Sequence, residues 1–124
     1  MAFTFGNSNY CNNIYNFKNI GLEYNLFISI LQTLLQEIEE SKRWLDRPND
    51  DTIYRRDLQK RIELINWVLE NMNNPDIPIC DNIESRMNDI IDKINETNSI
   101  IEADPLHSEL RILDWTLIKF VVTK

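Results

Sequence analysis

The stretch LEYNLFISILQTLLQEI, Leu22 to Ile38, decides the fold class. Phe27, Leu31, Leu34 and Ile38, followed by Leu45, recur at the helical period and make one apolar stripe. Leu22, Leu26 and Ile30 fall on the flank or back of that helix, so its first half is apolar nearly all round. A helix of that kind is expected as a buried central element or an oligomer seam. Only 2 Gly and 4 Pro occur in 124 residues, which points to long elements and few turns. The expected fold is therefore all-α. It is an antiparallel bundle of about four helices over residues 21–124, a single domain preceded by an irregular arm, residues 1–20.

The first helix is expected to stop at Arg47, because Pro48 disfavours helical geometry in the residue before it. Asp50 or Asp51 is placed as N-cap of a second helix with the stripe Tyr54, Leu58, Ile62, Ile65, Leu69 and Met72. Two helices of similar length on a short loop predict an antiparallel hairpin. Asn73-Asn74-Pro75 ends the second helix, and a linker runs to Pro78. A third helix is expected after Cys80 with Asp81 as cap and Ile83, Met87, Ile90, Ile94 and Ile101 as its stripe. Its opposite side carries an acidic ridge, Asp81, Asp89, Asp92 and Glu96. Asp104-Pro105 is read as the start of a fourth helix, with Leu106, Leu110, Leu113, Leu117 and Val121 inward. The arm is Asn-rich, with Phe3, Phe5, Tyr10, Ile14 and Phe17 expected to dock on the helical body or to order on a partner.

Net charge is −7 and the sequence pI about 4.6. Lys18 is the only charge in the arm, which leaves −8 on the helical part. Such a surface disfavours nucleic acid and anionic membranes and favours a basic partner. No run of ~18 apolar residues suggests a membrane span. The N-terminus has neither the basic region nor the long apolar region of a signal peptide. Cys11 and Cys80 show no metal-ligand spacing, so free thiols in a reducing cytoplasm are the expectation. Abundant Asn and Ile with scarce Ala suggest an AT-rich coding source of the phage or plasmid kind.

Two groups of residues fall outside a simple core. Trp67 lies on the far side of the second helix, near Leu64, and Trp115 lies opposite the stripe of the fourth, between Ile112 and Ile118. Trp44 is well off the first stripe. Exposed apolar faces of this kind mark interfaces, and a fourth helix apolar on two sides suggests a homodimer. The other group is Arg55, Arg56, Lys60 and Arg61, the one cationic cluster. With Tyr54 and Trp67, the residues Arg55, Arg56 and Lys60 compose a candidate grip for an anionic nucleotide. Arg61 points along the apolar stripe instead, so it is expected to snorkel or to pair with an acid such as Glu37 or Glu40.

His107 is the only histidine, and neither a metal motif nor a catalytic triad assembles around it. Glu37 and Glu40 are three apart on the first helix, as Asp89 and Asp92 are on the third. That double pair is loosely similar to the pattern of the all-α nucleotide pyrophosphohydrolases of the MazG kind. The resemblance implies a Mg²⁺-dependent hydrolase with these four carboxylates around the metal. It departs from that family in its second pair, which there is Glu-x-x-Asp, and Asp89 and Asp92 lie away from the apolar stripe.

The leading expectation is a non-enzymatic interaction module that needs no cofactor or metal. It would meet a basic, nucleic-acid-binding protein through Trp67, Trp115, Ile112, Ile118 and Leu64 together with Asp81, Asp89, Asp92 and Glu96, as an inhibitor, immunity or anti-defence protein does. The nucleotide binder and the Mg²⁺-dependent hydrolase are the alternatives.

Overall fold

The computed structural model describes the backbone of residues 21–74 and 76–122, and side chains from residue 26 to residue 120 of these. The aromatic arm, Pro75 and the side chains of Leu22 and Val121 lie outside the described residues. Four helices follow in order: α1 (Gly21–Asp46), α2 (Thr52–Asn71), α3 (Ile79–Glu96) and α4 (Ile100–Val122). The described residues contain no strand, so the all-α bundle is the observed fold.

The bundle consists of two hairpins, α1 with α2 and α3 with α4, joined mainly along α2 and α4. Glu37 pairs with Arg61, which sets α1 and α2 antiparallel. Arg56 reaches Asp104 and Lys60 reaches Glu109, so α2 and α4 run parallel. α1 and α3 are the outer helices and do not approach one another closely. Both short connections, 47–51 and 97–99, therefore lie at one end of the molecule.

This arrangement corrects the place of the first helix. α1 is a flank, and α2 and α4 are the central pair. Its innermost line is Ile30, Leu34, Ile38 and Ser41, while Phe27, Leu31 and Leu45 are only half-buried. α2 buries a wider arc than one stripe: Leu58, Leu64, Ile65, Val68 and Met72. α4 buries Ile112, Leu113, Thr116, Leu117 and Phe120, because α2, α3 and α1 all pack on it. Much of both apolar faces of α4 is thus packed within one chain, and Ile118 is left exposed. Leu64 at 0% exposure and Ile112 at 6% are core residues, not the interface residues expected from the sequence.

Local chemistry sets the helix ends. Asp51 caps α2 as expected, its Oδ1 accepting from the amides of Ile53 at 3.1 Å and Tyr54 at 3.0 Å. α3 starts two residues before Asp81, with Pro78 at the cap position and no side-chain cap. Burial of Ile79 and Cys80 fixes that start, and Asp81 instead places its charge in the positive first turn. α3 ends at Glu96, so Ile101 belongs to α4 and is exposed. α4 begins at Ile100 rather than at Asp104, because Ser99-Ile100-Ile101-Glu102 has the capping-box pattern, with the return bond relayed through Thr97, whose Oγ1 accepts from the Ser99 amide at 3.4 Å. The Glu102 amide donates to Ser99 Oγ at 3.3 Å, and Thr97 Oγ1 donates to Glu102 Oε2 at 3.1 Å. Pro105 then lies inside the helix, where it has no N–H to offer the carbonyl of Ile101.

Two consequences are measurable. Leu64→Ala should cost about 2–5 kcal/mol of unfolding free energy in urea, as for a fully enclosed leucine, whereas Ile118→Ala should cost under about 1 kcal/mol. Equal costs would contradict the central position of α2. The second concerns Glu84, whose carboxyl is pushed above its ordinary pKa range by burial and, secondarily, by Asp81. Folding therefore favours its protonated form. The stability tied to that proton is complete below the ordinary glutamate pKa and is lost as pH rises through the raised folded value. Glu84→Gln should raise Tm near neutral pH, and the gain should vanish below about pH 4. A gain of the same size at both pH values would refute burial as the cause.

Candidate functional site

The end of the bundle that carries both connections is built by caps. At the first tip, Arg55 Nη1 donates to the carbonyls of Leu45 at 2.9 Å and Arg47 at 3.3 Å, closing the C-terminus of α1. The next residue of α2, Arg56, reaches the second hairpin. Its Nε and Nη2 meet Asp57 Oδ1 at 3.1 and 2.8 Å, and Nη2 also donates to Asp104 Oδ2 at 3.0 Å and to the buried Ser108 Oγ at 3.5 Å. Asp57 first, then Asp104, hold the guanidinium proton more tightly than usual. Lys60 lies between Glu63 at 3.4 Å and Glu109 at 3.8 Å. The cationic cluster is thus distributed over three structural tasks, and Arg55, Arg56 and Lys60 do not share one surface. Arg61 Nη1 meets Glu37 Oε1 at 2.7 Å, one of the two acids expected as its partner.

Above the Arg56–Asp104 bridge the end surface is apolar. Ile53 stands one turn before Arg56, and Ile100 and Ile101 stand one turn before Asp104. Ile100 is 88% exposed and Ile101 85%, while Ile53 is 57% and Trp44 49% exposed. Tyr54 is also exposed. Around them lie the exposed acids Asp46, Asp50, Glu96, Glu102 and Asp104, against Arg47.

The three tryptophans each carry a cation on the ring. Arg47 Cζ lies 4.5 Å from the Trp44 centroid, Arg86 Cζ 4.6 Å from that of Trp67, and Lys119 Nζ 4.8 Å from that of Trp115. Trp67 and Trp115 are half-buried and pack against the core, so they are margins of the interior more than open faces. Ile118 is exposed, as expected. On α3, Asp89, Asp92 and Glu96 are exposed and Asp81 is half-buried.

The carboxylates of the hydrolase alternative do not converge. Glu37 and Glu40 are on α1, Asp89 and Asp92 on α3, and these are the two outer helices. Glu37 is engaged by Arg61, and among the described residues no group of three or more His, Cys, Asp or Glu side chains is placed to hold a metal ion. The residues present do not fit the magnesium that the resemblance implies.

What does converge is a cleft of about 340 Å³ between α1 and α2. α1 supplies Glu37, Glu40, Ser41 and Trp44, and α2 supplies Tyr54, Asp57, Leu58 and Arg61. Each set has the spacing i, i+3, i+4, i+7, one continuous helix face. The Glu37–Arg61 pair closes the inner end, and Trp44 and Tyr54 stand at the outer end beside the first tip. Sequence reasoning put Glu37, Glu40, Trp44, Tyr54, Leu58 and Arg61 in separate contexts and did not single out Ser41 or Asp57. The matched spacing on two adjacent antiparallel helices is the signal that unites them.

Cys80 is fully buried and disulfide-bonded, not the free thiol expected. Cys11, the other cysteine of the chain, lies outside the described residues. Two cysteines far apart in sequence give no local sign of pairing, and the free-thiol argument for a reducing compartment does not hold. No described helix is long and apolar enough to cross a membrane. The chain matches no protein-family model, no curated protein and no solved structure.

Proposed function

We propose that this protein is a non-enzymatic interaction module that binds a basic protein through the end of the bundle where the two hairpin tips meet. The observation that carries the reading is the pair Ile100 and Ile101, 88% and 85% exposed on the first turn of a well-capped helix. Isoleucine gains nothing from that position in the folded monomer. Removing an exposed isoleucine side chain from water on binding contributes roughly 1.5–3 kcal/mol. With Ile53 and Trp44, four large apolar side chains are exposed at this end of the bundle. The surrounding acids would steer a cationic partner and set its orientation more than its final affinity. The ridge Asp89, Asp92 and Glu96 extends that field along α3. A module of this kind that covers a basic nucleic-acid-binding surface acts as an inhibitor of it.

The double variant Ile100→Ser, Ile101→Ser removes the apolar contact and leaves the Ser99–Glu102 cap in place. In a pull-down from the source lysate it should lose, relative to the unaltered protein, any stoichiometric partner that high salt releases. Its thermal melt should stay unchanged or rise slightly, since both side chains are solvated in the monomer. Retention of the same partner at the same yield and salt dependence would refute the end surface as the binding face.

A further inference from the structure

We infer that the cleft between α1 and α2 is a binding site for an organic cation, a guanidinium or ammonium group on an apolar stem. The inference rests on the interaction reading for the source of that cation, an Arg or Lys side chain of the basic partner.

The lining fixes the charge of the ligand. Three carboxylates, Glu37, Glu40 and Asp57, face one cation, Arg61, which is already bound to Glu37. Two of the three keep capacity to accept hydrogen bonds. Glu40 has only a loose contact with Arg43 at 3.8 Å on the exposed face of α1, and Asp57 bonds Arg56 through Oδ1 alone. An anion is disfavoured here, and the carboxylates are not grouped closely enough to ligate a metal ion. A diffuse organic cation fits the separation.

A second observation points to a ligand independently of the acids. Ser41 is 2% exposed, lines the cleft, and makes no hydrogen bond among the described residues. The other buried helical hydroxyls have partners: Thr116 donates to the carbonyl of Ile112 at 2.9 Å, and Ser108 accepts from Arg111 at 3.0 Å and Arg56 at 3.5 Å. A buried hydroxyl without a partner costs about 1–3 kcal/mol, so its persistence at the floor of a cleft marks a place where a donor arrives. Trp44 and Tyr54 supply aromatic faces at the mouth, and Arg47 over Trp44 at 4.5 Å shows that this ring takes a guanidinium. Leu58 provides the apolar wall for the stem. The mouth opens beside the first tip, so a partner seated on the end surface can send one basic side chain into the cleft.

The test is NMR titration of the whole chain with n-butylguanidinium, with the neutral n-butylurea as control. Saturable shifts are expected at Ser41, Tyr54 and the Trp44 indole N–H with the cation and not with the urea. Glu40→Gln and Trp44→Leu should each weaken binding about five- to tenfold, the effect of losing a charge-assisted or cation–π contact. Ser41→Ala should weaken binding while leaving Tm equal or higher, a combination that a purely structural serine does not give. Equal shifts with the urea, no saturation by about 50 mM cation, or variants that bind unchanged would overturn the site. An acetylated and amidated Leu-Arg-Leu peptide that binds more tightly than agmatine assigns the cation to a protein side chain. The reverse order assigns it to a free amine, and either order supports the cleft. The two readings fail separately: partner capture that survives Ile100→Ser, Ile101→Ser leaves the butylguanidinium shifts intact.

Discussion

The parallel alignment of α2 with α4 is the constraint on which the rest of this structure depends. Two unlinked antiparallel hairpins could stack in either sense, and the other sense would put one tip at each end, but here the short connection 72–78 joins them. Here Arg56 forks between Asp57 on its own helix and Asp104 on the other, with Ser108 behind, and Lys60 reaches Glu109 one turn further on. These pairs are half exposed, and each alone stabilises the fold by no more than about 1 kcal/mol. Their effect is on register. The seven-residue connection 72–78 is too short to run back along α2, about 30 Å long, so α3 starts where α2 stops and α4 must run parallel to α2. Burial of Leu64, Ile65, Val68, Leu113 and Leu117 supplies the free energy, and the polar pairs match the register within that direction.

That alignment creates the surface features as by-products of the core. With α2 and α4 at the centre, α1 and α3 are displaced outward, and each outer helix meets its own hairpin partner along one edge. The edge between α1 and α2 fills with apolar side chains on the inner side, where Leu34, Ile38 and Leu58 are buried. On the outer side it opens into the cleft that ends at Ser41. The two tips are carried to one end together, so residues distant in sequence, Ile53 and the pair Ile100 and Ile101, come to flank a single ion pair.

The sequence made the class of fold legible because helical periodicity and the near absence of Gly and Pro act locally. Cap chemistry was legible to within a residue, Asp50 or Asp51, and the partner of Arg61 to within two acids, Glu37 or Glu40, because both are set by local helical spacing. The order of helices in space was not. An all-round apolar helix near residue 30 and a two-faced helix at residue 112 are equivalent signals in one dimension, and only packing shows that the second is central and the first is not. The start of α4 was misplaced for a local reason: Asp104-Pro105 is a good helix start, and the Ser99–Glu102 capping box upstream of it is a better one. The basic cluster illustrates the same limit. Arg55, Arg56 and Lys60 are neighbours in the chain but are directed to a helix end, a second hairpin and a glutamate on α4.

Charge gives the cleft and the end surface a common logic. A chain with net charge −7 could spread its acids as a solvated coat, in which case each tip would carry acids and little else. Instead, the acids at this end stand around exposed isoleucines, and those of the cleft stand around a buried hydroxyl and two aromatic rings. Apolar contact provides most of the affinity in such surfaces, while the surrounding charge discriminates among partners by penalising anionic ones. A cleft that takes one cationic side chain adds a positional requirement to that general preference. On the proposed reading a partner would have to present a basic residue at a fixed offset from the apolar contact, and that requirement would turn an acidic surface from a sensor of net charge into a reader of geometry.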